Sequence, residues 1–312
     1  MIHISFEGGL GNQMFQYAYG RFLQNYYKDS VCFDISKYDF EKSENREFDL
    51  YDMNIVKDWQ QVEVKRNRMA RYGIRYIPYL GATAVYTLLN KLMKDTTYMH
   101  GVHVYQRFIN LFGFYRNNTH EFYYEPIHKS LFSKKFIRGH WFNPDVVKKM
   151  DTELRKELRV KTEINQENRK ILDMISRTES VAVHIRRGDY VTLGYVVCSV
   201  QYYVKCMQEM KERLKDPFFF VFSDDIEWVR KELKFDGKMV FVNLDNKAVD
   251  DMRLLYSCKH FIMSNSTFSW WGAWLSENPN KIILQPKYWK NSDYEAYVLK
   301  MPEWETRDNH IV

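Results

Sequence analysis

Only four cysteines occur in the 312 residues, Cys32, Cys198, Cys206 and Cys258, and none stands in a C-x-x-C pair. That spacing supplies neither a thiolate zinc site nor a disulfide framework, so the four read as reduced, buried thiols of an intracellular protein. Long apolar runs are missing too. The longest uncharged stretch, Tyr76 to Leu89, lies between Arg75 and Lys91, contains Pro78, and falls short of the roughly 20 residues of a membrane-spanning helix. The opening residues run straight into IHISFEGGLGNQ, without the basic stretch, apolar core and cleavage site of a secretory leader. A cytoplasmic location is expected, and the N-x-T matches at Asn117 and Asn265 then lose their meaning as glycosylation sites. A large charge imbalance is also lacking. Against 40 acidic residues stand 46 basic ones, a net +6 dispersed over a long chain without a recognised reader motif, which argues against a nucleic-acid binder and suits anionic ligands. No internal repeat or low-complexity tract appears.

What is present is a globular composition, 45% apolar and 28% charged, with 17% aromatic residues that serve either core packing or flat sugar-binding surfaces. Ile2 to Phe6 predicts a strand, Gly8 to Gly11 a tight turn, Asn12 to Tyr27 a helix and Val31 to Ile35 a second strand. Asp39 to Asp58 predicts an irregular loop. From Gln60 to about Met93 the pattern is helical but interrupted by Gly73, Pro78 and Gly81. Its start carries Lys65, Arg66, Arg68, Arg71 and Arg75, either a solvated helix face or a contact to anionic lipid or an acidic glycolipid. Short apolar strands follow at Val181–Arg186, Phe218–Phe222, Met239–Leu244, Phe261–Met263 and Ile282–Leu284, with helical segments between the first four. Such alternation predicts a parallel sheet covered by helices, a Rossmann-like lobe. The charged helix expected over Asp145 to Val160 links it to a first lobe. The predicted lobes are residues 1–145 and 146–312, with the last residues free to pack back on the first.

In the strand VAVHIRRGD at 181–189, alternation places Ala182, His184 and Arg186 on one face and Val183 and Ile185 on the other. Ligands of parallel sheets sit beyond the carboxyl strand ends, where Arg186, Arg187 and Asp189 fall, and an arginine fork grips two oxygens of a diphosphate at once. An ordinary surface pair of Arg187 with Asp189 is the plainer alternative, but buried cations interrupting an apolar strand demand a partner. Met263 to Trp274 predicts a strand, a hydroxyl-rich turn and a helix start, with Asn265, Ser266 and Thr267 near free N–H groups that favour a phosphate. Ser266 or Thr267 serves equally as a plain N-cap. At Phe222-Ser223-Asp224-Asp225 one carboxylate either contacts the nucleotide or caps a helix, and adjacent aspartates do not make a metal-binding DxD pair. In Gly8-Gly9-Leu10-Gly11-Asn12-Gln13 the third glycine of a dinucleotide fingerprint is replaced by Met14, so a nicotinamide cofactor is rejected and the turn is expected to present Gly9, Asn12 and Gln13 to a cleft.

GGLGNQMFQYAYGR at 8–21, HIRRGDY at 184–190, FSDD at 222–225 and SNSTFSWWGAWL at 264–275 together resemble glycosyltransferase family 11, the bacterial-type α-1,2-fucosyltransferases. The resemblance implies an α/β, GT-B-like fold of two Rossmann-like lobes facing a central cleft, and metal-independent, inverting transfer of L-fucose from GDP-β-L-fucose to a galactose 2-hydroxyl. It also implies roles. Arg186 contacts the β-phosphate and stabilises departing GDP, Arg187 supports it, Asp189 orients the arginines or the acceptor, and His184 contacts donor or backbone. Ser266 and Thr267 look like phosphate contacts, Asp224 a nucleotide contact, and Asn12 a group near the transferred sugar. Asp189 is the candidate base. Glu7 departs from the family's apolar residue at its position, and an oxocarbenium-like transition state needs little base help. The expected partners are GDP-fucose and a galactose-terminated glycan, with peripheral membrane or glycolipid contact open, and no cofactor or metal is expected. Transfer of another sugar and a non-catalytic glycan-binding module are the alternatives.

Overall fold

The computed structural model describes residues 1–40, 47–61, 67–92, 98–116, 130–289 and 299–310. The chain forms two compact units. The first comprises residues 1–9, 15–48 and 56–151, and the second residues 10–14, 49–55 and 152–312. The chain changes unit at 151/152, six residues beyond the boundary expected from the sequence, and two short early segments belong to the second unit.

In the first unit β1 (Ile2–Ser5) is followed by α1 (Leu10–Tyr27), β2 (Val31–Asp34), α2 (Ser36–Phe40), β3 (Gln60–Gln61), α3 (Arg68–Tyr72), α4 (Tyr76–Leu92), α5 (Tyr98–Leu111), β4 (Phe114–Arg116), β5 (Lys135–Arg138) and α6 (Pro144–Lys149). The five strands form a parallel sheet in the order β3-β2-β1-β5-β4. Ile2 and Ile4 of its central strand are fully buried, as a parallel sheet covered on both faces requires. Pro78 and Gly81, expected to interrupt the helical pattern, lie inside α4. Proline is tolerated there because first-turn N–H groups have no intrahelical partner. The expected loop over 39–58 contains the end of α2 and a 3-10 turn at Asp49–Asp52. Lys65, Arg66 and Asn117 lie outside the described residues.

The second unit continues with α7 (Asp151–Glu157), α8 (Gln166–Arg177), β6 (Glu179–Ile185), α9 (Gly188–Leu193), α10 (Val200–Arg213), β7 (Pro217–Ser223), α11 (Ile226–Glu232), β8 (Met239–Phe241), α12 (Ala248–Ser257), β9 (His260–Ile262), α13 (Thr267–Leu275), β10 (Ile283–Pro286) and β11 (Glu305–Arg307). The one linking helix expected over 145–160 is two, α6 and α7, broken at Met150. The second sheet is also parallel, in the order β11-β10-β9-β6-β7-β8. Val181, Val183 and Ile185 enter one core with Tyr203, Met207 and Val229. Near the end of the described chain, Glu305–Arg307 add β11 to this second sheet. Glu305 and Arg307 tie it to Arg213 and Glu209 of α10, and the hydrogen bond from Arg213 helps hold the Glu305 carboxyl down at about 2. The cysteines are free and buried, as expected.

Two described arginines at the basic start of the helical stretch, Arg71 and Arg75, are committed internally. Arg71 pairs with Asp34, which is 1% exposed at the end of β2 and also accepts from Ser5 Oγ (3.3 Å) and Ser36 N (3.0 Å). Arg75 donates to the carbonyls of Tyr72 and Lys134 and lies over Phe136. Breaking a buried pair from one side leaves an uncompensated charge, a loss of about 3 kcal/mol or more. Arg71→Met should therefore lower unfolding free energy by about that much in urea titrations, and Arg71→Met with Asp34→Asn should recover most of it. Equal losses in the single and double variants would refute this assignment.

Candidate active site

Strand order reverses between β6 and β9. From β6 the chain moves outward through β7 and β8, then α12 carries it back to β9 on the other side of β6. In open parallel sheets the crevice beyond the carboxyl ends at such a reversal is where ligands bind. Arg186–Asp189 follow β6, and Met263 and then Ser264–Thr267 follow β9, so topology brings together two motifs 75 residues or more apart.

Arg186 is held on two sides. Its Nη2 lies 2.5 Å from Asp189 Oδ1, its Nη1 lies 2.9 Å from Asp224 Oδ2, and its guanidinium sits 5.2 Å from the Tyr190 ring centre. Arg187 stacks on Trp228 at 3.4 Å and approaches Asp225 at 3.3 Å. The strand end expected to be positive is thus compensated, with two arginines against three aspartates. All five side chains stay partly exposed, and pairs of that kind contribute only about 0–1 kcal/mol each. A diphosphate can therefore exchange with the carboxylates at small cost. Behind the arginines Ile185, Cys198, Tyr203 and Trp228 help line a cavity of about 220 Å³. That is below the roughly 300–1,000 Å³ of typical ligand sites, so it accommodates part of a sugar nucleotide at most.

Asp224, expected to touch the nucleotide, has both oxygens engaged: Oδ1 accepts from Arg187 N at 2.8 Å and Oδ2 pairs with Arg186. It clamps the turn after β6, and a Cβ on Gly188 would meet Asp224 Oδ2 at 2.2 Å. Asp225 is the helix cap, accepting from Trp228 N. His184 is buried, and its Nδ1 lies 3.0 Å from Ser264 Oγ and 2.7 Å from Ser269 Oγ. It ties β6 to the turn after β9. Burial, and secondarily the charge of Arg186, push its pKa down to about 3.

Three of the expected ligand contacts hold hydrogen bonds within the protein. Asn265 is buried and donates its Nδ2 to the carbonyls of Tyr195 and Trp289, while its Oδ1 accepts from Cys198 Sγ at 3.7 Å. Its amide is occupied. Ser266 takes the N-cap alternative, accepting from Phe268 N. Gln13, expected to face a cleft, is fully buried and accepts from Asp49 N at 2.9 Å. The reason is that α1 starts at Leu10, so Asn12 and Gln13 lie in its first turn rather than in a preceding loop. Gly8 makes the turn, with φ +80°, and Gly9 caps the helix in extended conformation.

Within the second unit, the first turn of α1 meets the first turn of α13. Thr267 Oγ1 donates to Asn12 Oδ1 at 3.0 Å, and Trp271 Nε1 donates to Gly11 O at 3.1 Å. A Cβ on Gly11 would come within 2.6 Å of Phe268 N. Two helix N-termini thus lie side by side, each with a positive dipole end that favours an anion. Sequence reasoning missed Gly11 and Gly188 as packing positions and Trp228 as the partner of Arg187. The glycines were visible in GGLG and RRGD, whereas nothing local marked Trp228.

At the carboxyl end of β1, Glu7 pairs with Lys37 and lies 3.7 Å from Arg138 and 3.9 Å from His140. Burial raises its pKa, but the Lys37 hydrogen bond and the neighbouring charges outweigh it, leaving the carboxyl below its usual range. A carboxylate so held is a poor proton acceptor. Among the described residues no group of three or more His, Cys, Asp or Glu could hold a metal ion.

Residues 82–307 match the family model described as glycosyl transferase family 11. The chain belongs to this family. It is 30% identical over 302 residues to an alpha-1,2-colitosyltransferase of Escherichia coli, covering 90% of each chain. It is 29% identical to the O-antigen biosynthesis glycosyltransferase WbnK of Escherichia coli, covering 96% of this chain and 97% of that one. It is also 30% identical over 135 residues to the galactoside 2-alpha-L-fucosyltransferase Sec1 of Mus musculus, covering 40% and 37%. A family 11 chain is a glycosyltransferase, and a sugar-nucleotide donor and a glycan acceptor are its expected substrates.

The buried imidazole of this glycosyltransferase makes a prediction about pH. His184 stays neutral when folded down to about pH 3 but takes a proton near pH 6.5 when unfolded. Its contribution to stability is therefore complete above pH 6.5 and is lost as pH falls from there toward the folded value, at up to about 1.4 kcal/mol per pH unit. His184→Asn should flatten the stability slope between pH 6.5 and about 5 by close to that amount in denaturant titrations. An unchanged slope would count against the buried neutral imidazole.

Proposed function

We propose that the chain transfers L-fucose from GDP-β-L-fucose to the 2-hydroxyl of a galactose, with inversion and without a metal ion or cofactor. The observation that carries this reading is the arginine pair at the strand-order reversal, in the same unit as the adjoining N-termini of α1 and α13. The diphosphate replaces Asp189 and Asp224 on Arg186, the positive dipole end of α13 favours its charge, and the Thr267 hydroxyl turns from Asn12 Oδ1 to donate to one of its oxygens. As the bond from the fucose carbon to the diphosphate breaks, negative charge grows on GDP. Arg186 then stabilises the transition state more than the ground state.

Donor binding also releases Asp189 from Arg186. In this reading Asp189 then takes the proton of the attacking hydroxyl, and the acceptor is assigned to the first unit. Arg187, held by Trp228 and Asp225, supports the charge balance. His184 acts as a positioning residue through Ser264 and Ser269, and Asp224 by clamping the 186–188 turn. The work is expected in the cytoplasm. Transfer of colitose is the second reading, favoured by the relative that covers 90% of both chains.

The decisive assay supplies GDP-fucose or GDP-colitose with lactose or another terminal galactoside in the presence of EDTA, followed by linkage analysis of the product. An α-1,2-fucosyl product is expected, and Arg186→Ala should lower kcat by about a hundredfold or more while the variant keeps the wild-type unfolding midpoint. Transfer from GDP-colitose alone would replace the donor assignment. Undiminished turnover in Arg186→Ala would overturn the mechanism.

A further inference from the structure

The hairpin of α4 and α5 is built inside out. Tyr76, Tyr79 and Tyr86 of α4 face inward against Tyr105 and Phe114, with Tyr86 stacked on Tyr105 at 4.4 Å. Three of these hydroxyls have side-chain partners: Thr83 Oγ1 lies 3.0 Å from Tyr105 Oη, Arg116 donates to Tyr79 Oη and Arg68 donates to Tyr76 Oη. Several aliphatic residues face outward instead. Ile77, Leu80, Val85 and Leu88 repeat at helical spacing along one face of α4, and Val85 and Leu88 are 58% and 57% exposed. On α5, Val104 and Phe108, one turn apart, are likewise 70% and 43% exposed. The described exposed positions of α4 before Lys91 carry no charged side chain. A surface helix normally turns its apolar stripe to the core and its charges to water, and a continuous apolar surface of this kind marks a contact.

The charge around the hairpin narrows what it contacts. Residues 64–120 hold nine lysines and arginines against a single acidic residue, Asp95, a net +8. The rest of the chain then holds 37 basic against 39 acidic residues, from totals of 46 and 40, a net −2. Along the sequence the excess positive charge falls in this segment, although Arg71 within it pairs with Asp34. Two copies meeting through this face would bring two such segments together, which like charge opposes. An anionic bilayer satisfies both properties: the aliphatic stripe enters the headgroup and acyl boundary while Lys91 and Arg107, both exposed, stay at the level of the lipid charges.

We propose that the α4–α5 hairpin is a membrane-interface element that lays its outward aliphatic face on an anionic lipid surface without spanning it. No described helix is long and apolar enough to cross a membrane. This relocates the lipid contact considered for the basic segment at 65–75, whose Arg71 and Arg75 make internal contacts.

The test floats the full-length chain with vesicles of phosphatidylcholine alone and of phosphatidylcholine mixed with phosphatidylglycerol. The chain should rise with the mixed vesicles, release on raising salt, and bind neutral vesicles at least about fivefold more weakly. Leu80→Glu with Leu88→Glu, both at exposed positions, should weaken binding about tenfold or more without changing the thermal unfolding midpoint. Failure to float with the anionic vesicles overturns the proposal, as does binding that the double variant leaves intact. A wild-type dimer that the double variant converts to monomer, with no flotation of either, assigns the face to a second copy instead.

Discussion

The site depends on a charge clamp at one strand end. Arg186 emerges from β6 between Asp189 and Asp224, and Asp224 also accepts the backbone N–H of Arg187. These contacts set the turn after β6, and Gly188 leaves the space that the Asp224 carboxylate occupies. Parallel pairing of β6 with β7 and β9 aligns the three carboxyl ends, so the clamp faces the hydroxyl-rich turn before α13. Because the participating side chains are partly exposed, the clamp positions the guanidinium without binding it so firmly that a diphosphate could not displace a carboxylate.

Around that clamp, several polar residues are occupied in holding backbone. Asn265 joins three chain segments, His184 joins β6 to two serines, and Gln13 accepts from Asp49 N. Buried polar groups must find partners or lose the solvation they had in water. The residues nearest a functional turn are therefore often those that fix its shape, leaving binding to backbone N–H groups at helix starts and to a few side chains with exposed faces.

The two units bear on function differently. In the second, a parallel sheet with a reversal of strand order concentrates charged and hydroxyl-bearing residues at one edge. In the first, Glu7 is committed to a cluster of basic groups at the end of β1, and the helical hairpin carries an outward aliphatic face. A glycosyltransferase whose acceptor is held at a membrane would gain from that face, since adsorption to a surface raises the local concentration of enzyme and acceptor together.

The parallel α/β class and most strand positions were legible in the chain, because alternation, apolar runs and glycine turns are local properties that survive tertiary packing, whereas the meeting of HIRRGDY with SNSTFSWW came from the strand order of the sheet. It also marked Arg186 and Asp189, since a charged pair ending an apolar strand has few structural uses. What needed the folded chain was that Asp224 engages both oxygens at the turn after β6, that Asn265 and Gln13 hold backbone groups, and that the stripe on α4 points outward. Each of these rests on a partner distant in sequence or on which helix face meets a neighbour. A helical pattern alone specifies a stripe but not the side of the molecule on which it lies.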